Sequence, residues 1–177
     1  MKPDVRAVAL VLSVVPGLLA AQGAPSPIAD AFRTYEARSA RKLVAAFETM
    51  PADKYGYKPT PAQMSVAGIA LHLAEGNDFF CSTLTGSTAP KRDSIAETAP
   101  KDQLVARLKE TFDYCATALA KLNDSALAEQ LPFFGSKVSR ATMILIATGD
   151  YEDHYSQMAN YLRLNGLLPP TARQPGQ

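Results

Sequence analysis

Only two histidines occur in the 177 residues, His72 and His154. Each falls midway along a stretch with helical spacing, on the stripe that the spacing turns toward a core. Asp150 precedes His154 by four residues. At about 100° per residue the two side chains stand only about 40° apart, one turn above the other. A carboxylate and an imidazole so placed can bind one ion from a single helix. His72, coming from a facing helix, would complete the set, because helical bundles build metal sites from inward side chains on neighbouring helices. Two imidazoles and one carboxylate suit a divalent Zn, Ni or Fe ion and leave coordination positions open. Open positions allow a bound water to be acidified to a pKa near 7, or a thiol to bind as thiolate. A carboxylate buried alone is costly, so an inward Asp150 requires a cation or strong donors. The same residues also allow a purely structural Asp150–His154 hydrogen bond, with His72 satisfied by a backbone carbonyl. Haem between the two imidazoles is disfavoured by the neighbouring carboxylate and by the lack of a CxxCH motif.

Two further residues are catalytic candidates. Glu75 lies three residues after His72 and is a candidate partner of the site or base, with a solvated helix charge as the alternative; Glu75 or Gln157 would orient water. Asp153 is turned about 100° from His154 and is expected in solvent. Tyr151 and Tyr155 lie beside the inward stripe. They are expected to pack between helices rather than line a substrate pocket.

The elements that must hold these residues are four helices. The first is expected from Pro27 to Met50, with Ser26 as its cap, Pro27 in its first turn and Pro51 ending it. A loop rich in turn residues follows, and its Tyr55 and Tyr57 are expected to fold back over the domain. Ser65 caps a second helix that runs to Leu84, with Ile69, His72, Leu73, Gly76 and Phe80 on one face. A third helix, Lys101 to Leu122, carries the stripe Leu104, Leu108, Phe112, Cys115, Leu119 and Leu122. After a helical turn near Ser125 and a loop at Pro132–Ser136, whose paired phenylalanines should pack on a bundle end, Ser139 opens the fourth helix. Asn165-Gly166 stops it, with Pro169-Pro170 beyond. No run of alternating apolar residues argues for a strand. The economical architecture is an all-α four-helix bundle, its topology left open by the pattern alone.

Residues 1–23 read as a secretory signal: Lys2 and Arg6, an apolar run from Ala7 to Ala21, and small residues around Gly23. Pro16 and Gly17 interrupt the run, and it is short for a membrane span. An uncleaved anchor is the alternative. Residues 24–177 then form one domain, exported to a periplasmic or extracellular space, with no membrane contact after cleavage. Removing two bases and one acid from totals of 18 and 17 leaves the domain with no net charge. Nothing in that balance suggests a nucleic-acid partner, which would need a basic face. Cys81 and Cys115 form either a disulfide closing a loop of about 34 residues, worth roughly 3.5–4 kcal/mol, or a pair of buried thiols.

Several separated segments agree with one known family. Thr148-Gly149-Asp150-Tyr151-Glu152-Asp153-His154-Tyr155-Ser156-Gln157, followed by Tyr161-Leu162-Arg163-Leu164-Asn165-Gly166 and Pro169-Pro170, resembles the C-terminal signature of the DinB family. Met50-Pro51-Ala52-Asp53-Lys54-Tyr55 with Lys58-Pro59-Thr60-Pro61 is similar to that family's loop before the second helix. Leu71-His72-Leu73-Ala74-Glu75 is similar to the segment carrying its first histidine. The resemblance spans about residues 27 to 170. It implies an up-down-down-up bundle and a divalent metal on three histidines, with Asp150 standing where one histidine usually stands. It also implies thiol-dependent transfer or hydrolysis of a small-molecule substrate not identified by the sequence, and it allows a homodimer. A non-catalytic binding or stress-related bundle with a degenerate site is the alternative function.

Overall fold

The protein is described here by a computed structural model covering residues 25–173; the expected signal segment, residues 1–23, lies outside the described residues. Four helices account for most of the described residues: α1 Pro27–Thr49, α2 Val66–Thr85, α3 Lys101–Leu119 and α4 Arg140–Leu164. Ser65 and Ser139 cap α2 and α4 as expected, accepting from the amides of Gly68 at 2.9 Å and Thr142 at 3.1 Å. Gly86, at φ 65°, and Gly166, at φ 74°, take the left-handed turn that ends α2 and α4. The start of α1 differs from expectation. Its first amides are capped by the Asp124 carboxylate, which accepts from Ile28 at 3.0 Å and Ala29 at 2.8 Å. The Ser26 hydroxyl instead accepts from the Asp124 amide at 3.3 Å. A long-range carboxylate thus satisfies two donors and meets the positive end of the helix dipole.

Contacts between helices fix their directions. Asn77 meets Thr111 and Cys81 meets Cys115, so α2 and α3 run parallel. Arg33, near the start of α1, donates to the carbonyls of Leu119 and Leu122 at the far end of α3, while Lys101 donates to those of Glu48 and Met50. Hence α1 opposes α3. Helix α4 opposes α2, since His72 faces Asp150 while the earlier Met64 meets the later Tyr161. The result is an up-down-down-up bundle. Helices that follow in sequence through a long connection can lie parallel, and residues 86–100, between α2 and α3, have that reach.

The stripe on α3 is buried along its whole length, and Tyr55 is buried against α1 with its hydroxyl donating to Phe47 O at 2.8 Å. Tyr151 and Tyr155 are both packed away from solvent. On α2 the buried face differs from the expected one: Ile69, Leu73, Asn77 and Phe80 are buried, whereas His72 is exposed and Gly76 half-exposed. The centre of that face follows i, i+4 and i+8 through Asn77, leaving His72 about 100° from Leu73, on the flank toward α4. Asn77 Oδ1 accepts from the buried Tyr151 hydroxyl at 2.9 Å, and its amide donates to Thr111 Oγ1 at 3.0 Å. This network ties three helices together one residue away from Asp150, fixing the rotation of α4.

Cys81 and Cys115 are joined as a disulfide with Cα atoms 5.2 Å apart. It staples the parallel α2 and α3 inside the second half of the core, beside Leu84, Leu119 and Met143.

The segment before α4 corrects two expectations. Gln130–Phe133 (β1) and Ser136–Ser139 (β2) pair antiparallel, with Leu131 opposite Val138 and Phe133 opposite Ser136. Four-residue strands are too short to display alternation, so their pairing is carried by the turn between them. Phe134 does not pack into a bundle end. It sits at the hairpin tip, 83% exposed.

Candidate metal centre

Helix α4 places Asp150 and His154 one turn apart, and α2 presents His72 across the groove. Asp150 Oδ1 stands 3.4 Å from His72 Nε2 and 3.5 Å from His154 Nε2. One potential ligand atom from each residue lies within 4.8 Å of the others. The two rings face each other at 64° with centroids 4.7 Å apart. Exposure is graded across the cluster: the His154 side chain is 10% exposed, Asp150 21% and His72 47%. The group therefore sits at the wall of the bundle, anchored on its buried side and open on the other. The expectation that both histidines lie on inward faces holds for His154 and fails for His72.

These distances bear on the fit of an ion. Donors at about 2.0–2.1 Å from a tetrahedral centre are separated from one another by about 3.3–3.4 Å. Direct nitrogen–oxygen hydrogen bonds are shorter, at about 2.7–3.2 Å. The two spacings from Asp150 match neighbouring ligands of one ion better than a pair of strong hydrogen bonds.

Hydrogen bonding fixes the buried imidazole. His154 Nδ1 lies 3.0 Å from Gln157 Oε1; the Gln157 amide donates to Tyr161 Oη at 3.0 Å; and the Tyr161 hydroxyl donates to Met64 O at 3.0 Å. With Nδ1 protonated toward Gln157, Nε2 keeps its lone pair toward Asp150, the arrangement a ligating histidine needs. Gln157 is thus committed to holding His154 and is not free to orient water. This relay was missed in the sequence, although the spacing of 154, 157 and 161 signals it. Glu75 is exposed and borders the groove beside His72 and Gly76. Asp153 is in solvent, as expected.

The electrostatics favour a charged Asp150. Burial raises its pKa, but hydrogen bonding and proximity to His154 and His72 outweigh burial and hold the carboxyl well below the usual range. For His154, burial opposes protonation; hydrogen bonds to Asp150 and Gln157 and the nearby carboxylates overcome it and raise the imidazole pKa.

The fold and cluster define a class: an up-down-down-up helical bundle with a His/Asp/His group between its second and fourth helices. The chain belongs to the DinB superfamily, whose family model matches residues 36–158. No curated protein gives a significant match. Among solved structures, a DinB-like protein from Bacillus subtilis superposes with TM-score 0.66 at 19% identity, covering 82% of this chain and 99% of its own. A DinB-like protein from Bacillus cereus gives 0.65 at 14% identity, covering 80% and 95%. A conserved protein from Enterococcus faecalis gives 0.58 at 14% identity, covering 80% and 98%. At these identities the likeness concerns the fold.

Proposed function

We propose that the protein is an exported, divalent-metal-dependent enzyme of transferase or hydrolase type, with His72, Asp150 and His154 holding the ion. The observation that carries this reading is the position of Asp150 Oδ1, 3.4 Å and 3.5 Å from two imidazole nitrogens on different helices. Zinc, nickel and iron all accept this donor set. When bound, the ion supplies a Lewis acid that acidifies a coordinated water or thiol. The residues around it divide the remaining work. Gln157 holds His154 in the tautomer that points Nε2 at the site. His72, on the open side, faces the groove through which a substrate enters. Glu75, bordering the same groove, receives the proton released as the nucleophile forms.

Export is supported by the 1–23 leader pattern and by the Cys81–Cys115 disulfide, since structural disulfides persist in oxidising compartments. Such a compartment favours water over a low-molecular-weight thiol as the nucleophile.

The test is elemental analysis of protein purified without chelator, beside His72→Ala, Asp150→Ala and His154→Ala. We predict near-stoichiometric divalent metal in the parent and loss in each variant with helical circular dichroism retained. Negligible metal in the parent, with activity against no electrophile or ester, would leave the alternative of a non-catalytic bundle.

A further inference from the structure

Beside the three donors runs a trough of about 460 Å³, lined by His72 and Asp150 together with Phe79, Phe134 and Ile146. We propose that this trough binds the planar aromatic body of an uncharged small molecule whose polar end reaches His72 and Asp150. The proposal rests on the metal-site reading for its polar end only; the aromatic part stands on three separate observations.

The first is Phe134. β1 and β2 are joined by a two-residue turn, Phe134-Gly135, with φ of 42° and 80°. Positive φ at both positions is the type I′ pattern, which favours Asn-Gly. That conformation carries a backbone-strain cost for a bulky side chain. No burial offsets this cost, because Phe134 is 83% exposed. What the ring does is lie nearly parallel to Phe79, centroids 5.4 Å apart at 30°, forming a wall of the trough.

The second is Gly76, which lines the trough from the middle of α2. A Cβ there would meet Asp150 Oδ2 at 3.7 Å and Phe80 at 3.8 Å, ordinary contact distances. Packing does not demand glycine, and mid-helix glycine is less favourable than alanine. Its presence keeps open the space directly beside Asp150.

The third is the trough's size and chemistry. Its volume lies within the range of small-ligand pockets, about 300–1,000 Å³, which are mostly apolar with a few placed polar groups. Glu75 on its border opposes an anionic occupant.

The test compares benzohydroxamate with acetohydroxamate, two zinc-chelating probes that differ by a phenyl for a methyl, on the Zn²⁺-loaded protein by calorimetry. Benzohydroxamate is expected to bind roughly tenfold tighter, from the ring area removed from water. Phe134→Asn suits the turn better than phenylalanine, so the hairpin persists; it and Phe79→Ala should reduce the ratio to about two or three while zinc content is unchanged. Equal ratios in parent and variants overturn the proposal. Should Zn²⁺ not be retained at all, the metal reading fails separately. Fluorescence of the neutral dye N-phenyl-1-naphthylamine on metal-free protein then decides the aromatic part: binding lost in Phe79→Ala sustains it, and binding unchanged overturns it. Sedimentation showing that Phe134→Asn converts a dimer to a monomer also overturns it, by assigning the wall to a second copy of the chain.

Discussion

The Nδ1 atom of His154 lies 3.0 Å from Oε1 of Gln157, and this contact decides which imidazole nitrogen is offered to the site. Gln157 is itself fixed by Tyr161, whose hydroxyl reaches the backbone of Met64 in front of α2. The orientation of one proposed ligand on α4 is thereby tied to the segment that leads into the helix bearing the other. Replacing Gln157 with Ala should weaken metal binding roughly 10–100-fold, the usual cost of losing a ligand's outer partner, while leaving the helical content unchanged. Gln157→Glu, which still accepts from Nδ1, should recover most of the affinity. Competition with a chromophoric chelator measures both, and an unaltered affinity in Gln157→Ala would remove the relay from the account.

Metal uptake should depend on pH in a defined direction. The His154 pKa is raised: burial opposes protonation, but the bonds to Asp150 and Gln157 outweigh it. An ion must displace that proton, so apparent affinity should rise by about one decade per pH unit until the raised His154 pKa is passed, then level. The metal-free protein behaves oppositely. The Asp150–His154 attraction is fully present above the ordinary carboxylate pKa and below the ordinary histidine pKa. It is lost as pH falls through the depressed Asp150 value or rises through the raised His154 value. Titrations at several pH values that show affinity constant or falling between pH 6 and 8 would contradict the ligand role of His154.

Buried Glu36 gives an independent prediction. It is 2% exposed on α1, its Oε1 has no hydrogen-bond partner, and burial followed by repulsion from Asp113 raises its pKa from 4.5 to about 7. The unfolded chain releases this proton at lower pH than the folded one. Stability from this residue is therefore complete below about pH 4.5 and falls as pH rises toward 7, then levels. Glu36→Gln should remove that slope and stabilise the protein at pH 8 by on the order of 2 kcal/mol. Urea unfolding at pH 5 and pH 8 checks this; equal pH slopes in parent and variant would show that the carboxylate is solvated or paired.

The disulfide should matter more for stability than for the site. Cys81 and Cys115 are fully buried and stand 34 positions apart in sequence. Their replacement by a Cys81→Ala, Cys115→Ala pair should cost about 3–4 kcal/mol in chemical unfolding. Metal content should be unchanged, because His72 and Asp150 lie outside the closed loop, on the face of the bundle shared by α2 and α4.

What was legible in the sequence follows the strength of the local signals. The four helices, the long apolar stripe of α3, the serine caps of α2 and α4 and the Asn165-Gly166 stop all carry periodic or stereochemical signatures, and each is found where expected. The Asp150–His154 couplet was visible because a spacing of four is a property of one helix. The meeting with His72 depends on how α2 and α4 are rotated against each other. That rotation is set by Asn77, Tyr151 and Thr111, whose hydrogen bonds have no local pattern. Taking His72 as inward was an error of one residue in locating the centre of the α2 face, which passes through polar Asn77. The hairpin escaped notice because its strands are four residues long and its turn uses Phe134 where asparagine would have announced it. The Asp124 cap on α1 joins residues almost a hundred positions apart, and no spacing rule reaches that far.

The central claim is that one divalent ion is shared by His72, Asp150 and His154. The most direct measurement is a crystal structure of metal-loaded protein with anomalous diffraction recorded on both sides of the metal's absorption edge. A single strong anomalous peak is expected about 2.0–2.2 Å from His72 Nε2, His154 Nε2 and an Asp150 carboxylate oxygen. A peak elsewhere on the surface, or none at full loading with Asp150 hydrogen-bonded to both imidazoles, would contradict it.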